Sequence, residues 1–503
     1  MRSTLPPANL LRKDSRALTL RRAGLLALVT AAAILVHGYH PAVEDAEIYL
    51  PGIKRILNPA LCPHNHVFFT SHAGKTFFPN LIAASIRISH LPFDWAILLW
   101  HFLSIFLLLW ACWRIGELCF GQARAAWGGV LLVASLLTIP VAGTALYIVD
   151  QYLVSRSLST PAILFAVISA LERRYLRAAL WVVVTGLIHP LMVVFGASYF
   201  VALLLSARWK PAVPLAMMLP LGLLLPASEA YRHALGAHPY FFLLRWQWYE
   251  WLGIFAPLVL LAWYRWIARR QMLPRLELLA TALIPFSLFY FALALFLSLP
   301  RFAGLLLLQP MRSLHLLYVL FFVFTGGLIS QSILRDKVWR WLVLFLPLCI
   351  GMFYAQRQLF PSTPHIEWPG RDPGNDWVRA FLWIRQNTPT DAYFALDPNH
   401  MALPGEDQHG FRALAERSML ADNIKDIGAV TMFPKLASEW QRQVRAQSGW
   451  KNFQREDFLR LQRDFGVDWV VVEQPGVAGP GVLGLDCPYQ NSRVQVCQII
   501  PAH

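Results

Sequence analysis

Residues 21–51 read RRAGLLALVTAAAILVHGYHPAVEDAEIYLP. An arginine pair, Arg21 and Arg22, precedes an apolar run from about Ala23 to Tyr39, and three acids follow it: Glu44, Asp45 and Glu47. Residues 1–360 hold only twelve carboxylates, and three of them fall within these four positions. Charge beside a bilayer is costly to place, so an ionisable cluster at a membrane face is a candidate functional site. The plainer alternative is an acidic loop that is simply wet.

The 503 residues are 56% hydrophobic, too apolar for a soluble chain of this size. Apolar runs of about 18 residues or more mark transmembrane helices. They fall near 23–40, 94–113, 126–147, 158–171, 178–188, 190–206, 212–226, 252–268, 278–299, 313–331 and 341–359. His189-Pro190 either breaks one helix or separates two short ones, so the expected fold is a polytopic α-helical membrane protein of about nine to eleven spans.

Residues 361–503 contain 14 Lys+Arg and 17 Asp+Glu, whereas residues 1–360 contain 30 and 12. With eleven spans the basic connections, such as Arg173-Arg174 and Arg269-Arg270, fall on one side, which the positive-inside rule makes cytoplasmic. The charge of +15 is then topological, and no nucleic-acid partner is expected. The N-terminus lies inside. The long first loop (41–92) and the tail (361–503) lie outside the cytoplasmic membrane. The first span lacks a clear cleavage site and is expected to remain as an anchor.

Within loop 41–92, Ala46 to Leu57 can form an amphipathic helix interrupted at Pro51 and carrying Lys54. Leu81 to Leu91 is amphipathic and can lie in the interface plane. A second external stretch, Tyr240 to Trp251, contains Arg245 and is either an interfacial aromatic belt or a stacking platform. A third, 300–315, contains Arg301, Arg312 and His315. Arginine at the external end of a span runs against the topology rule, so Arg312 is an anion-binding candidate, with headgroup snorkelling as the alternative.

The tail has soluble composition and enough residues to bury a core. A proline-rich linker (361–373) leads to a helix near Asn375–Gln386 with Trp377, Phe381 and Ile384 on one face. A short strand at Ala392–Leu396 follows, then helices near 434–447 and 455–465. A strand at Val467–Glu473, a Gly/Pro-rich turn and a last strand at 493–500 complete a small α/β domain. Cys487 and Cys497 can pair in an oxidising compartment. Cys62 is left unpaired, and Cys112, Cys119 and Cys349 are expected to be inert packing residues.

A carboxylate at the membrane boundary can act as a general base on a hydroxyl. Arginine and lysine can hold a phosphate leaving group. His64, His66 and His72 with Glu44 or Asp45 admit a divalent metal, although their spacing matches no zinc pattern and no cofactor is required. His189 reads as an interface residue. Asp150 is either a second carboxylate of the site or an ordinary acid ending a span.

Val43-Glu44-Asp45-Ala46-Glu47-Ile48-Tyr49-Leu50-Pro51, the break at His189-Pro190, the Gln309-Pro310-Met311-Arg312-Ser313 entry and the tail beginning Trp377-Val378-Arg379 together resemble the C-type glycosyltransferase (GT-C) superfamily of bacterial membrane proteins. The resemblance implies transfer of a sugar, with inversion, from a polyprenyl-phosphate donor to a glycan, lipid or protein acceptor outside the cytoplasm. It implies Glu44 and Asp45 as the acid pair, Asp45 being the base. Arg312, with Lys54 or Arg245, would hold the donor phosphate. The alternative expectation is a non-catalytic assembly or transport protein of the cell envelope.

Overall fold

The computed structural model describes residues 8–208, 228–474 and 484–500. Among them are seven helices long and apolar enough to cross a membrane and three shorter apolar ones. The architecture is a polytopic helical body carrying a small C-terminal domain of mixed sheet and helix. The expected span at 212–226, the side chain of Arg301 and the turn over 475–483 lie outside the described residues.

The first span is α1 (Ala8–His37). The loop over 41–92 folds into α2 (Ala46–Leu57), α3 (Val67–Ala73) and α4 (Phe78–Ser89). Helix α2 runs through Pro51 rather than stopping there; the missing proline N–H only leaves one carbonyl without its helical donor. Then come α5 (Phe93–Phe120) and α6 (Ala123–Ser135).

The expected span at 126–147 ends early, at Ser135. Residues 136–154 form a folded, largely buried loop in which Val141 N donates to Leu146 O at 2.8 Å and Pro140 bridges Tyr147. Pro140 cannot continue a helix, and Gly143 lies against the Trp246 ring, where a Cβ would lie 2.5 Å from Cδ2. The apolar residues of this loop raise hydropathy without forming a helix.

Next are α7 (Ser155–Leu171), α8 (Tyr175–Ile188) and α9 (Pro190–Arg208). His189 is extended (φ −149°, ψ 97°), and Pro190 opens the following helix, where its lack of an N–H costs nothing. So the His189-Pro190 break separates two helices. After α10 (Glu229–Gly236) come α11 (Trp248–Arg270), α12 (Pro274–Leu297), a run of 3-10 turns, α13 (Leu314–Ile329) and α14 (Val338–Leu359).

Helices α6 and α13 meet through Gly128, Gly129 and Gly326. A Cβ at Gly128 or Gly326 would collide with the carbonyl of the other, the small-residue contact that membrane helices use. On α14, Leu342, Val343 and Leu346 are 59, 65 and 56% exposed. An apolar face this open fits contact with lipid.

The tail comprises α15 (Asp376–Asn387), β1 (Tyr393–Ala395), α16 (Phe411–Ala415), β2 (Ser418–Met419), α17 (Asp426–Met432), α18 (Ala437–Ala446), α19 (Arg455–Phe465), β3 (Trp469–Glu473), β4 (Leu485–Gln490) and β5 (Val494–Ile499). The sheet order is β2-β1-β3-β5-β4, with β1 parallel to both neighbours and β5 antiparallel to both of its own. Asn375 caps α15 by accepting from Trp377 N at 2.9 Å. Trp377, Phe381 and Ile384 are all buried against Phe394, Val471 and Val496. Gly466, at φ 74°, closes α19 in the left-handed conformation. Cys487 and Cys497 form a disulfide across β4 and β5, and Cys62 is a free, buried thiol.

The proline-rich linker is pinned rather than loose. Tyr39 N donates to His365 O at 3.1 Å, and Glu367 N to Tyr39 O at 2.9 Å. Glu367 lies 2.8 Å from His40 and 3.2 Å from His409 of the tail. Burial opposes charge on both Glu367 and His409. Their mutual attraction wins, drawing Glu367 down to about 2 and lifting His409 to about 9. The Glu367 contribution is present above about pH 4.5 and lost as pH falls through about 2; the His409 contribution is present below about 6.5 and lost as pH rises through about 9. The difference in thermal unfolding between wild type and His409→Phe should therefore be largest between about pH 4.5 and 6.5 and shrink as pH rises through about 9.

Candidate functional site

The three acids of the opening stretch divide into two roles. Glu44 has a left-handed backbone (φ 55°), uncommon for a side chain this size, and its N–H donates to Gln408 O of the tail at 2.9 Å. Asp45 follows at the N-terminus of α2 but makes no capping bond to that helix. Both carboxylates are left to meet Lys425, which precedes α17. The Lys425 ammonium donates to Glu44 Oε2 and, at 3.1 Å, to Asp45 Oδ1. Lys425 is itself held by Asp422, whose Oδ1 accepts from Ile424 N and Lys425 N at 2.7 and 2.6 Å.

Glu47 points the other way and is fully buried. Its carboxylate accepts from Arg412 N at 2.9 Å and Ala413 N at 2.8 Å, satisfying the first amides of α16. The Arg412 guanidinium lies 3.4 Å from Glu47 and 2.7 Å from Asp426. Gly410 admits this approach, since a Cβ there would lie 2.7 Å from the Cβ of Glu47. Glu47 is thus a clamp between loop and tail, while Glu44 and Asp45 face a cavity.

That cavity, about 350 Å³, lies between the first loop, the 136–154 loop and the tail, and its wall includes Glu44, Asp45, Asp150, Arg156, Arg312 and Lys425. A second lobe of about 300 Å³ shares Asp45, Ile48, Arg156, Tyr240, Arg312 and Gly428 with it and extends to His72, His189 and Phe433. Asp150 forms a buried ion pair with Arg156. Arg312 has no ion-pair partner among the described residues, and its Nε is buried without a hydrogen bond. Its guanidinium lies 5.9 Å from the Tyr240 ring centre. Burial alone would raise the Asp45 carboxyl, but Lys425, Arg156 and Arg312 outweigh it and hold the group well below the usual carboxylate range. The same acids hold the Lys425 ammonium above its ordinary value in spite of burial.

Glu44, Asp45 and Arg312 therefore converge, and Asp150 joins them. His315 lines neither lobe; it is buried, with Nε2 2.9 Å from Ile148 O. Lys54 lines neither lobe: its Nζ donates to Ala413 O at 2.7 Å and pairs with Glu416 at 2.7 Å, a strut under the tail. Arg245 is exposed, bonded to Gly236 O and stacked on Phe242. His64 stacks on Tyr393 and His66 Nδ1 faces Pro63 O. No group of three or more His, Cys, Asp or Glu able to hold a metal ion occurs among the described residues.

Two cavity cations carry no prior expectation. Arg156 opens an apolar helix from the same side as Arg312, so the argument that selects Arg312 selects it too. Lys425 sits in the tail, 380 residues from Asp45, with no local pattern to mark it.

The sequence family described as a domain of unknown function (DUF6798) matches residues 375–446, a stretch that contains both Arg412 and Lys425. No curated protein matches the chain.

Proposed function

We propose that the chain is a multi-pass glycosyltransferase of the bacterial inner membrane, GT-C-like in fold, with a cytoplasmic N-terminus and an extracytoplasmic C-terminal domain. It takes a sugar from a polyprenyl-phosphate donor and passes it, with inversion, to a hydroxyl of a glycan, lipid or protein. The observation that carries this reading is the meeting of the Glu44/Asp45 pair with Arg156 and Arg312 in one cavity between the apolar helices and the tail.

Asp45 accepts the proton of the acceptor hydroxyl as that oxygen bonds to the anomeric carbon. The bond from that carbon to the phosphate oxygen breaks, and its electron pair leaves with the phosphate. Arg312 and Arg156 hold the phosphate and the charge that grows on it. Lys425 keeps Asp45 ionised and fixes its direction. A carboxylate held so low is a weak base in isolation. It serves because proton transfer accompanies bond formation instead of preceding it.

The test is the purified chain in liposomes, supplied with hexosyl and pentosyl esters of a prenyl phosphate and an envelope extract as acceptor. Release of bare prenyl phosphate with a gain of sugar in the extract is expected. Absence of release across glucosyl, galactosyl, mannosyl and arabinosyl esters would overturn the reading.

A further inference from the structure

The two lobes differ chemically. The first gathers Glu44, Asp45, Asp150 and Lys425 on a wall that also includes Pro140, Leu146 and Tyr147. The second is mostly neutral and carries unused hydrogen-bonding atoms. Gln309 Oε1, Thr76 Oγ1 and His72 Nδ1 are all buried without a partner. All three residues line this lobe, and Gln309 is only 7% exposed. Buried polar atoms are ordinarily satisfied, so three unsatisfied ones around one cavity point to a ligand that supplies their partners.

The surroundings narrow what that ligand is. Gln309 stands in the left-handed region (φ 45°) immediately before Pro310, a strained placement for a side chain. Its amide Nε2 is turned to the sulfur of Met432 at 3.5 Å, which leaves the carbonyl oxygen as the free group. Tyr49 and Phe433 each meet the His72 ring edge to face, their centroids 6.3 and 5.1 Å from it. Burial keeps the His72 imidazole neutral, drawing it down to about 4. Neutral donors and acceptors between aromatic and aliphatic walls suit a ring that has hydroxyls at its rim and C–H groups on its faces. The volume admits one such ring. Apart from Asp45, Arg156 and Arg312 at the junction, the lobe's charged side chain is Lys75, which is exposed.

We infer that the lobe lined by His72, Thr76 and Gln309 seats the transferred sugar as a neutral hexopyranose, leaving the lobe beside Lys425 for the acceptor. The inference rests on the donor reading above and adds to it the sugar class and the residues that select it.

The experiment measures Kd of the full chain in nanodiscs for farnesyl phosphate and for its glucosyl, galactosyl, mannosyl and glucuronosyl esters. One neutral hexosyl ester should bind about tenfold more tightly than bare farnesyl phosphate, as one or two added hydrogen bonds allow. Thr76→Val and Gln309→Leu should each erase most of that gain and leave the affinity for bare farnesyl phosphate unchanged. The glucuronosyl ester should show no gain. A gain that survives both substitutions, a gain largest for the glucuronosyl ester, or no gain for any neutral ester would overturn the inference while leaving the phosphate site standing. Failure to bind farnesyl phosphate at all would overturn the donor reading, and this inference with it.

Discussion

Asp45→Asn is expected to lower the turnover of sugar transfer by about 10²- to 10⁴-fold, the range a positioned general base supplies. KM for the donor should change little, because in the proposed reaction the donor phosphate would rest on arginines that the substitution leaves in place. Asparagine keeps the shape of the side chain and an oxygen for Lys425, so the variant should still fold, with a melting temperature lowered by the lost attraction to Lys425, Arg156 and Arg312. Glu44→Gln should cost far less. Glu44 helps hold Lys425, but its neighbour retains both that contact and the place at the junction of the two lobes. A Glu44→Gln loss as large as that of Asp45→Asn would reassign the base.

Arg412→Leu is expected to release the tail from the membrane body. The guanidinium is 1% exposed and lies between Glu47 and Asp426. Removing one partner of a buried ionic group leaves uncompensated charge and costs about 3–5 kcal/mol. Burial already raises Glu47 to about 8 and Asp426 to about 6 against the pull of Arg412, so without it both carboxyls stay buried only when protonated. A carboxyl raised in the folded state favours folding below its unfolded value and loses that advantage as pH rises through the folded one. The variant should therefore be least impaired near pH 4 and worsen steadily toward pH 8. Limited proteolysis in the 361–374 linker, compared between these two conditions, measures the effect. Equal protection of wild type and variant at pH 8 would show that the clamp does not hold the tail.

Much of the helical body follows from hydropathy, because a long apolar run has few places to go other than a bilayer or a core. The exception is 136–147, where Ile139, Val141 and Leu146 keep the average high while Pro140 and Gly143 forbid the helix. Within the tail, the Asn375 cap, the Gly466 stop and the spacing of Trp377, Phe381 and Ile384 are local signals, and the structure follows them. Position relative to the first span marks Glu44 and Asp45 as candidates and the expected topology marks Arg312; the structure places all three on one cavity wall.

Partners far apart in the chain leave no such trace. Lys425 reaches Asp45 only because α17 packs on the first loop, and Glu47 differs from Glu44 only by the face of α2 on which it falls. Lys54 illustrates the converse. A lysine in an amphipathic helix beside a span resembles a phosphate ligand until Ala413 and Glu416 arrive from the tail to occupy it.

If Asp45 acts chemically in the proposed sugar transfer, losing its charge should remove the same product as losing the whole chain. The most direct measurement is mass spectrometry of lipid-linked and envelope glycans from cells carrying the wild-type chain, Asp45→Asn, or a deletion. The point variant and the deletion are expected to lack the same sugar while the variant protein accumulates in the membrane. A point variant whose glycans match wild type, beside a deletion whose glycans differ, would contradict it.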